Sequence, residues 1–312
     1  MITKDKYHVP VLLEESIEGL AIKPDGIYVD CTLGGGGHYR KLAEMLDKKG
    51  IAIGVDRDPE ALAWVRNHLP CAKSQVLLEQ SAFSQFDTVL KKHSIEKIDG
   101  LLIDLGLSLR QIDNPHRGFS YKTNTALDMR MDPQSGMTAE KIIAESSEEE
   151  LTRILHDYGE IKNPRRMASA IARFSRNRKI QTSGDLRECI ESEYGSPVKY
   201  KVLSKLFQAL RIAVNDELAE LRTCLHKAVE YLNKGGRLVV IAYHSLEDRI
   251  VKNFMRDCEQ KCVCQPFEPV CRCNKPALLR RITRKAIRAS LSEVQRNPKA
   301  RSALLRISEK VL

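Results

Sequence analysis

The sequence predicts an α/β fold: one doubly wound sheet with a helical insertion between its fourth and fifth strands. Three observations carry this. The first hundred residues alternate short apolar runs with amphipathic segments, the rhythm of a parallel sheet. The run "GIYVD" (26–30) passes through four glycines, Gly34–Gly37, into a helical segment. From about 108 to 211 the strand rhythm stops, and it resumes only at "RLVVIAY" (237–243).

Each element has a local reason. Residues 26–30 read as the first strand and His38 to Lys48 as a helix. "IAIGVD" (51–56) is the second strand. Asp58 caps the next helix, with Pro59 at its first position, where a missing N–H costs nothing. "SQVLLE" (74–79) and "IDGLLIDL" (98–105) are the third and fourth strands. In the strandless stretch, Ser147 and Glu150 form a capping box. Asn163-Pro164 opens a helix whose Met167, Ile171 and Phe174 share one face. A longer helix carries Leu218, Leu221, Leu225, Val229 and Leu232 and ends at Gly235-Gly236, a C-cap signal. "LLRRIT" (278–283) and "ALLRIS" (303–308) are two closing strands. The expected organisation is a sheet domain in two parts, 1–107 and 212–312, around an insertion at 108–211.

Charge separates the parts. The net charge is +10, but residues 160–211 alone carry +7 and residues 275–312 carry +9, which leaves the rest acidic. Two basic blocks on an acidic body point to a polyanion, with nucleic acid ahead of a membrane; a solvated basic surface is the alternative. The start, "MITKDKYHVPV", has no signal-peptide core, and runs such as "LVVIA" (238–242) are far too short to span a bilayer. A cytoplasmic protein is expected.

The glycine turn chooses among ligands. A phosphate-binding P-loop needs Gly-Lys-Ser/Thr, and no lysine lies between Gly34 and Arg40. A dinucleotide fingerprint wants a small third residue, where this chain has Tyr39 or Arg40. S-adenosylmethionine, which carries a cationic sulfonium and no phosphate, asks for bare backbone and an acid at the strand end. Gly34–Gly37 and Asp30 supply these. Asp56 ends the second strand, placed to accept from ribose hydroxyls. Phe83, in "SAFSQF", is placed to pack on adenine or, alternatively, in the core beside Phe86. Asp104 ends the fourth strand where a transferred methyl group should leave; a turn or capping acid is the alternative.

Longer motifs sharpen this. "HVPVLLEE", "GGGGHYRK", "GVDRDPEAL", "IDGLLIDLGLS", "RGFSY", "LDMRMD", "AYHSLEDRIVK" and "NPKARSALLR" stand here in one order along nearly the whole chain. In this the chain resembles the RsmH (MraW) family of bacterial ribosomal small-subunit methyltransferases. The resemblance implies a Rossmann-like class I S-adenosylmethionine methyltransferase sheet, an insertion that recognises rRNA, and N4-methylation of a cytidine in the decoding region of 16S rRNA. It also implies cofactor contacts at Gly36, Gly37, His38, Asp56, Phe83, Asp104 and Gln111. Two departures stand out: "LGLSLRQ" has Leu109 and Arg110 where the family has Ser-Pro, and Tyr243 stands where phenylalanine is common.

The chemistry such a transfer needs is definite. The cytosine N4 lone pair is delocalised into the ring, so an acceptor must orient an N–H while the methyl group is held in line. Positioning of this kind supplies ~7–11 kcal/mol. Asp104 is the expected acceptor and the candidate catalytic residue. The Asp/Asn-Pro-Pro-aromatic tetrad of amino-methyltransferases is absent, so Tyr243 or Phe119 is the expected stacking aromatic. Ser245 with Asp248 reads as a helix cap, and His244 as either a structural or a substrate-contacting residue. Arg117, Asp128 and Arg130 either bridge substrate and cofactor or pair with one another to order their loop.

Nine cysteines in such a chain argue for thiols. Cys31, Cys71, Cys189 and Cys224 read as small core residues. "CVCQPFEPVCRC" sets Cys262 and Cys264 against Cys271 and Cys273, which leaves zinc and reduced surface thiols open. No residue is assigned to a metal in the reaction. A nicotinamide dehydrogenase, a DNA amino-methyltransferase and a non-enzymatic RNA-binding module are the rival readings. The expected partner is the small ribosomal subunit, and monomer and homodimer both remain open.

Overall fold

The computed structural model describes residues 10–69, 72–134, 136–262, 264, 273 and 275–312. Contacts divide the chain into two compact units, one of residues 1–106 and 219–312, the other of residues 107–218.

The first unit is built on a seven-stranded sheet of order β3-β2-β1-β4-β5-β7-β6. Its elements begin with α1 (Leu13–Leu20), β1 (Ile27–Asp30), α2 (Gly37–Met45), β2 (Ile51–Asp56) and α3 (Pro59–His68). Next come β3 (Gln75–Gln80), α4 (Phe86–Lys92) and β4 (Ile98–Asp104). Strands β1 to β5 are parallel, and β7 runs antiparallel to both β5 and β6. The strand order reverses between β1 and β4, which opens the crevice where such sheets take ligands. β1 reads Ile27-Tyr-Val-Asp30 with its last three residues buried, as a strand covered on both faces requires. Asp58 caps α3 through its side chain, which accepts from the Glu60 N–H, and Pro59 follows at the first position.

The described residues of the second unit form six helices: α5 (Leu109–Asp113), α6 (Ala139–Glu145), α7 (Glu148–Asp157), α8 (Pro164–Asn177), α9 (Ser183–Tyr194) and α10 (Tyr200–Asn215). No strand element falls among its described residues. Its core is its own, with Leu155, Ile171, Leu186, Ile190 and Leu206 fully buried. Ser147 and Glu150 make both hydrogen bonds of the capping box on α7. Met167 and Ile171 of α8 are buried, and Phe174 packs against the same cluster.

The chain continues through α11 (Glu217–Tyr231), β5 (Leu232–Ala242), α12 (Ser245–Glu259), β6 (Leu279–Arg281), α13 (Leu291–Arg296) and β7 (Leu304–Lys310). One expected boundary is corrected. Helix α11 stops at Tyr231, not at the glycine pair, and Leu232 already pairs with Ile98. The register then shifts so that Gly100 faces Arg237, and Gly235 takes φ 81°. Both glycines therefore sit in an irregularity within β5. A helix C-cap and a strand bulge both call for a left-handed residue, so local sequence does not tell them apart. Among the described residues, no helix is long and apolar enough to cross a membrane.

Candidate active site

Four strand ends of the first unit converge on one edge of the sheet. The segment after β1 is tied to both neighbours: the Cys31 N–H donates to Leu102 O (2.9 Å) and the Leu33 N–H to Val55 O (3.0 Å). The Asp104 N–H donates to Thr32 Oγ1 at 2.6 Å, which pins the end of β4 to the end of β1. The glycines then divide the work. Gly34 takes φ 48°, a Cβ there would meet only Thr32 O at 3.8 Å, and its N–H donates to Asp56 Oδ2 at 2.8 Å. Gly36, at φ 74°, precedes α2, and a Cβ there would meet Val65 at 2.8 Å. A Cβ on Gly37 would meet Pro10 at 2.8 Å. Tyr39 is fully buried and donates its hydroxyl to Ala52 O (2.9 Å). The residue that breaks the dinucleotide pattern is thus a core residue of the sheet.

Asp56 is oriented by two main-chain donors, the N–H groups of Gly34 (2.8 Å) and Asp58 (2.9 Å). Each of its oxygens keeps a second lone pair. Desolvation pushes its carboxyl up to about 6 against those two hydrogen bonds. Asp30, 2% exposed, is likewise pushed up to about 6 by burial, with His38 and the Thr32 N–H pulling the other way. Phe83 lies in a short 3-10 turn after β3, half-buried, while Phe86 is fully buried and packs edge-on against Tyr231. The core role falls to Phe86.

Asp104 ends β4 with its side chain 16% exposed. Burial pushes its carboxyl up to about 7, the Tyr243 hydroxyl lowers it, Glu247 raises it and Lys299 lowers it. The Tyr243 hydroxyl donates to Asp104 Oδ1 at 2.8 Å, and burial holds that phenol far above its ordinary range. His38 approaches the other oxygen: its Nδ1 stands 3.8 Å from Asp104 Oδ2. Its Nε2 lies 3.1 Å from Val11 O, a partner that can only accept, so the proton sits on Nε2. Burial lowers the His38 pKa, which keeps the ring neutral and turns a bare nitrogen toward Asp104. Behind them, the buried Glu247 accepts the Tyr243 N–H at 2.8 Å and fixes the end of β5. The cap of α12 is His244 with Glu247, one frame before the expected Ser245 with Asp248. Glu247 wins because its carboxylate reaches back to the N–H groups of both Tyr243 and His244.

The MraW methylase family model matches residues 5–311. The chain belongs to that family. A ribosomal RNA small subunit methyltransferase H of Clostridioides difficile is 41% identical over 98% of this chain and 99% of its own length. Proteins of the same name from Heliobacterium mobile and Brevibacillus brevis are 44% and 43% identical, over 98% and 100% of this chain and 99% and 100% of theirs. As a MraW-family protein the chain is an S-adenosylmethionine-dependent methyltransferase. The site suits that cofactor. Three carboxyls whose ionisation is held back by burial favour a cation, the left-handed Gly34 crowds nothing with a side chain, and Asp56 stands preset as an acceptor.

Of the seven positions that MraW-family resemblance implies for the cofactor, Gly36, Gly37, His38, Asp56, Phe83 and Asp104 lie in the first unit, at or just after strand ends. Gln111 lies in the second unit, where its side chain accepts the Ser108 N–H at 3.0 Å in a capping box on α5. Phe119, one of the two candidate stacking aromatics, is 8% exposed and packs within the helical core. Arg130 pairs with Asp128 through two donors (2.9 and 2.7 Å), and Arg117 donates to Arg130 O and Met131 O. These three residues show the loop-ordering arrangement. Cys31, Cys189 and Cys224 are buried as expected, while Cys71 lies outside the described residues. Sequence reasoning missed the hydroxyl of Tyr243 as a partner of Asp104 and missed Glu247 altogether.

Proposed function

We propose that this chain methylates the exocyclic N4 amine of a cytidine in the decoding region of 16S rRNA within the small ribosomal subunit, in the cytoplasm. The observation that carries the reading is Asp104 on the end of β4, raised to about 7 and hydrogen-bonded by Tyr243. Such a carboxylate accepts an N–H and, once the amine is alkylated, takes its proton at physiological pH. Tyr243 occupies Oδ1 and so directs the incoming N–H to the rest of the carboxylate. Neutral His38, held by Val11 O, cannot donate to that carboxylate and compete with the substrate. S-adenosylmethionine supplies the electrophilic methyl group on its sulfonium.

The chain's own groups would hold that cofactor as follows. The N–H groups at the start of α2, from Gly37 and His38, lack intrahelical acceptors and suit its carboxylate. Asp56 takes the ribose hydroxyls, Phe83 covers the adenine, and Gly36 keeps the turn in shape. Gln111, which the resemblance adds to these, holds the start of α5 through its capping box with Ser108.

The rRNA assignment is supported by the relatives' names and by the basic blocks. In the second unit, Arg166, Arg173 and Arg178 are matched by Glu193, Asp185 and Glu188. A hollow of about 580 Å³ between α7 and α8 is lined by Arg153, His156, Lys162, Arg165 and Arg166, with Asp157 as its acid. Cations of this kind contact the RNA backbone and set register without reading sequence. A cytosine reached in this way must be unstacked, at a cost of about a few kcal/mol.

The test is nucleoside mass mapping. Small subunits lacking the modification, incubated with the protein and isotope-labelled S-adenosylmethionine, should yield label in N4-methylcytidine. Label confined to 5-methylcytidine or to another nucleoside would overturn the assignment.

A further inference from the structure

We propose that Cys262, Cys264 and Cys273 form a structural zinc site at the edge of the sheet. Their Sγ atoms all lie within 4.8 Å of one another. A tetrahedral zinc with bonds of ~2.3 Å asks for about 3.8 Å between neighbouring sulfurs, so the three need close by only a fraction of an ångström to a little more. The Cys264 N–H donates to Cys262 Sγ at 3.4 Å. A neutral thiol is a weak acceptor, and main-chain donation of this kind favours the thiolate that a metal requires.

Exposure separates these cysteines from those that pack in the core. Cys31, Cys189 and Cys224 are buried and serve packing. Cys262 is exposed, and Cys264 and Cys273 are partly so, which gives an ion an entry path. Sulfur brought together at a surface gains little from burial, and this gathering places three soft ligands around one point. Three thiolates select a thiophilic ion, and zinc accepts them in the geometry required without redox chemistry. One further donor, from the chain or from water, completes the tetrahedron.

The position gives the site a purpose. α12 ends at Glu259, and β6, three residues long, opens at Leu279 on the outer edge of the sheet. Around the cluster the chain is already tied down: the Leu278 N–H donates to Cys258 O (2.8 Å), and Arg281 pairs with Glu259 at 2.7 Å. Binding zinc would tie Cys273, and with it the short edge strand that opens at Leu279, to the end of α12. The cluster lies at the opposite end of α12 from His244, roughly 22 Å along a helix of that length. The ion is therefore structural, and cofactor binding should not depend on it.

The experiment begins with elemental analysis of the full chain, purified under reducing conditions without chelator. One zinc per chain is expected. Cobalt exchanged into the chelated protein should give the intense visible bands of a tetrahedral ion and near-ultraviolet thiolate-to-cobalt charge transfer. Cys262→Ser and Cys273→Ser should each lower zinc occupancy at least ~10-fold at limiting metal, since losing even an outer-shell partner of a ligand costs ~10–100-fold in affinity. They should also lower the unfolding temperature while leaving S-adenosylmethionine affinity by calorimetry unchanged, which shows that the variants have folded. Wild-type protein that stays free of zinc after incubation with it and gives cobalt no charge-transfer bands would overturn the proposal. So would serine variants with full zinc, or a disulfide among the three cysteines in the reduced preparation.

Discussion

Replacing Tyr243 by phenylalanine removes one oxygen from the site and leaves the ring. The resemblance allows phenylalanine at this position, so the fold should hold. The lost hydroxyl donates to Asp104 Oδ1 at 2.8 Å, on a carboxyl that burial has raised to about 7. A hydrogen bond to a charged group is worth ~1.5–3 kcal/mol, and one pH unit corresponds to about 1.36 kcal/mol. The hydroxyl stabilises the ionised form, so removing it raises the carboxyl further, by roughly 1–2 units. Only ionised Asp104 accepts the amine proton. Near neutral pH, where half of the wild-type carboxyl is ionised, the active fraction therefore falls roughly 5- to 50-fold, and alkaline pH restores it. The assay is single-turnover methyl transfer at saturating cofactor, followed across pH in wild type and in Tyr243→Phe. The acid limb of the profile should move to higher pH, with plateau rates that converge. An unmoved limb, or an equal loss at every pH, would refute the assignment of Asp104 as the acceptor.

Asp104→Asn keeps the shape and a hydrogen-bond acceptor but removes the group that takes the proton; transfer in the single-turnover assay should fall ~10²–10⁴-fold, and wild-type turnover would remove Asp104 from the chemistry. Asp30, Asp56 and Asp104 all hold protons at pH values where the unfolded chain has lost them. Their contribution to stability is therefore full below the ordinary carboxyl range and is lost as pH rises from about 4 to about 7. A cationic ligand favours their ionised forms, so S-adenosylmethionine should release protons on binding between about pH 6 and 7, more than its neutral demethylated product. Calorimetry in buffers of different ionisation enthalpy measures this, and identical proton release for both ligands would contradict it. If cations of the second unit contact RNA phosphates, subunit affinity should fall with salt, and Arg165→Ala should reduce the logarithmic slope by ~0.7–0.9. An unchanged slope would remove Arg165 from the interface.

Local signals were legible in the sequence where one segment decides the matter. β2 spans Ile51–Asp56 as the apolar run predicts, the Asp58 cap needs its own turn alone, and the antiparallel β6 and β7 follow from apolar runs. The strand–glycine–helix turn placed Asp30, Asp56 and Asp104 on strand ends, and the parallel sheet carries those ends to one edge. What stayed hidden depends on partners far along the chain. Tyr243 meets Asp104 across 139 positions, and nothing near either residue announces the pair. The cap of α12 offered two frames three residues wide, and the buried Glu247 decided between them through main-chain donors of β5. Gly36 and Gly37 read as bare backbone for a ligand, yet Val65 and Pro10 would meet any side chain there. Their lack of a side chain is partly a demand of packing.

The most direct test of the account is a crystal structure of the protein with S-adenosylmethionine. Its methionine end should lie along Gly34–Gly37, its ribose on Asp56, its adenine beside Phe83 and its methyl group facing Asp104. Density for the cofactor elsewhere on the chain, or with Asp104 turned away from the methyl group, would contradict it.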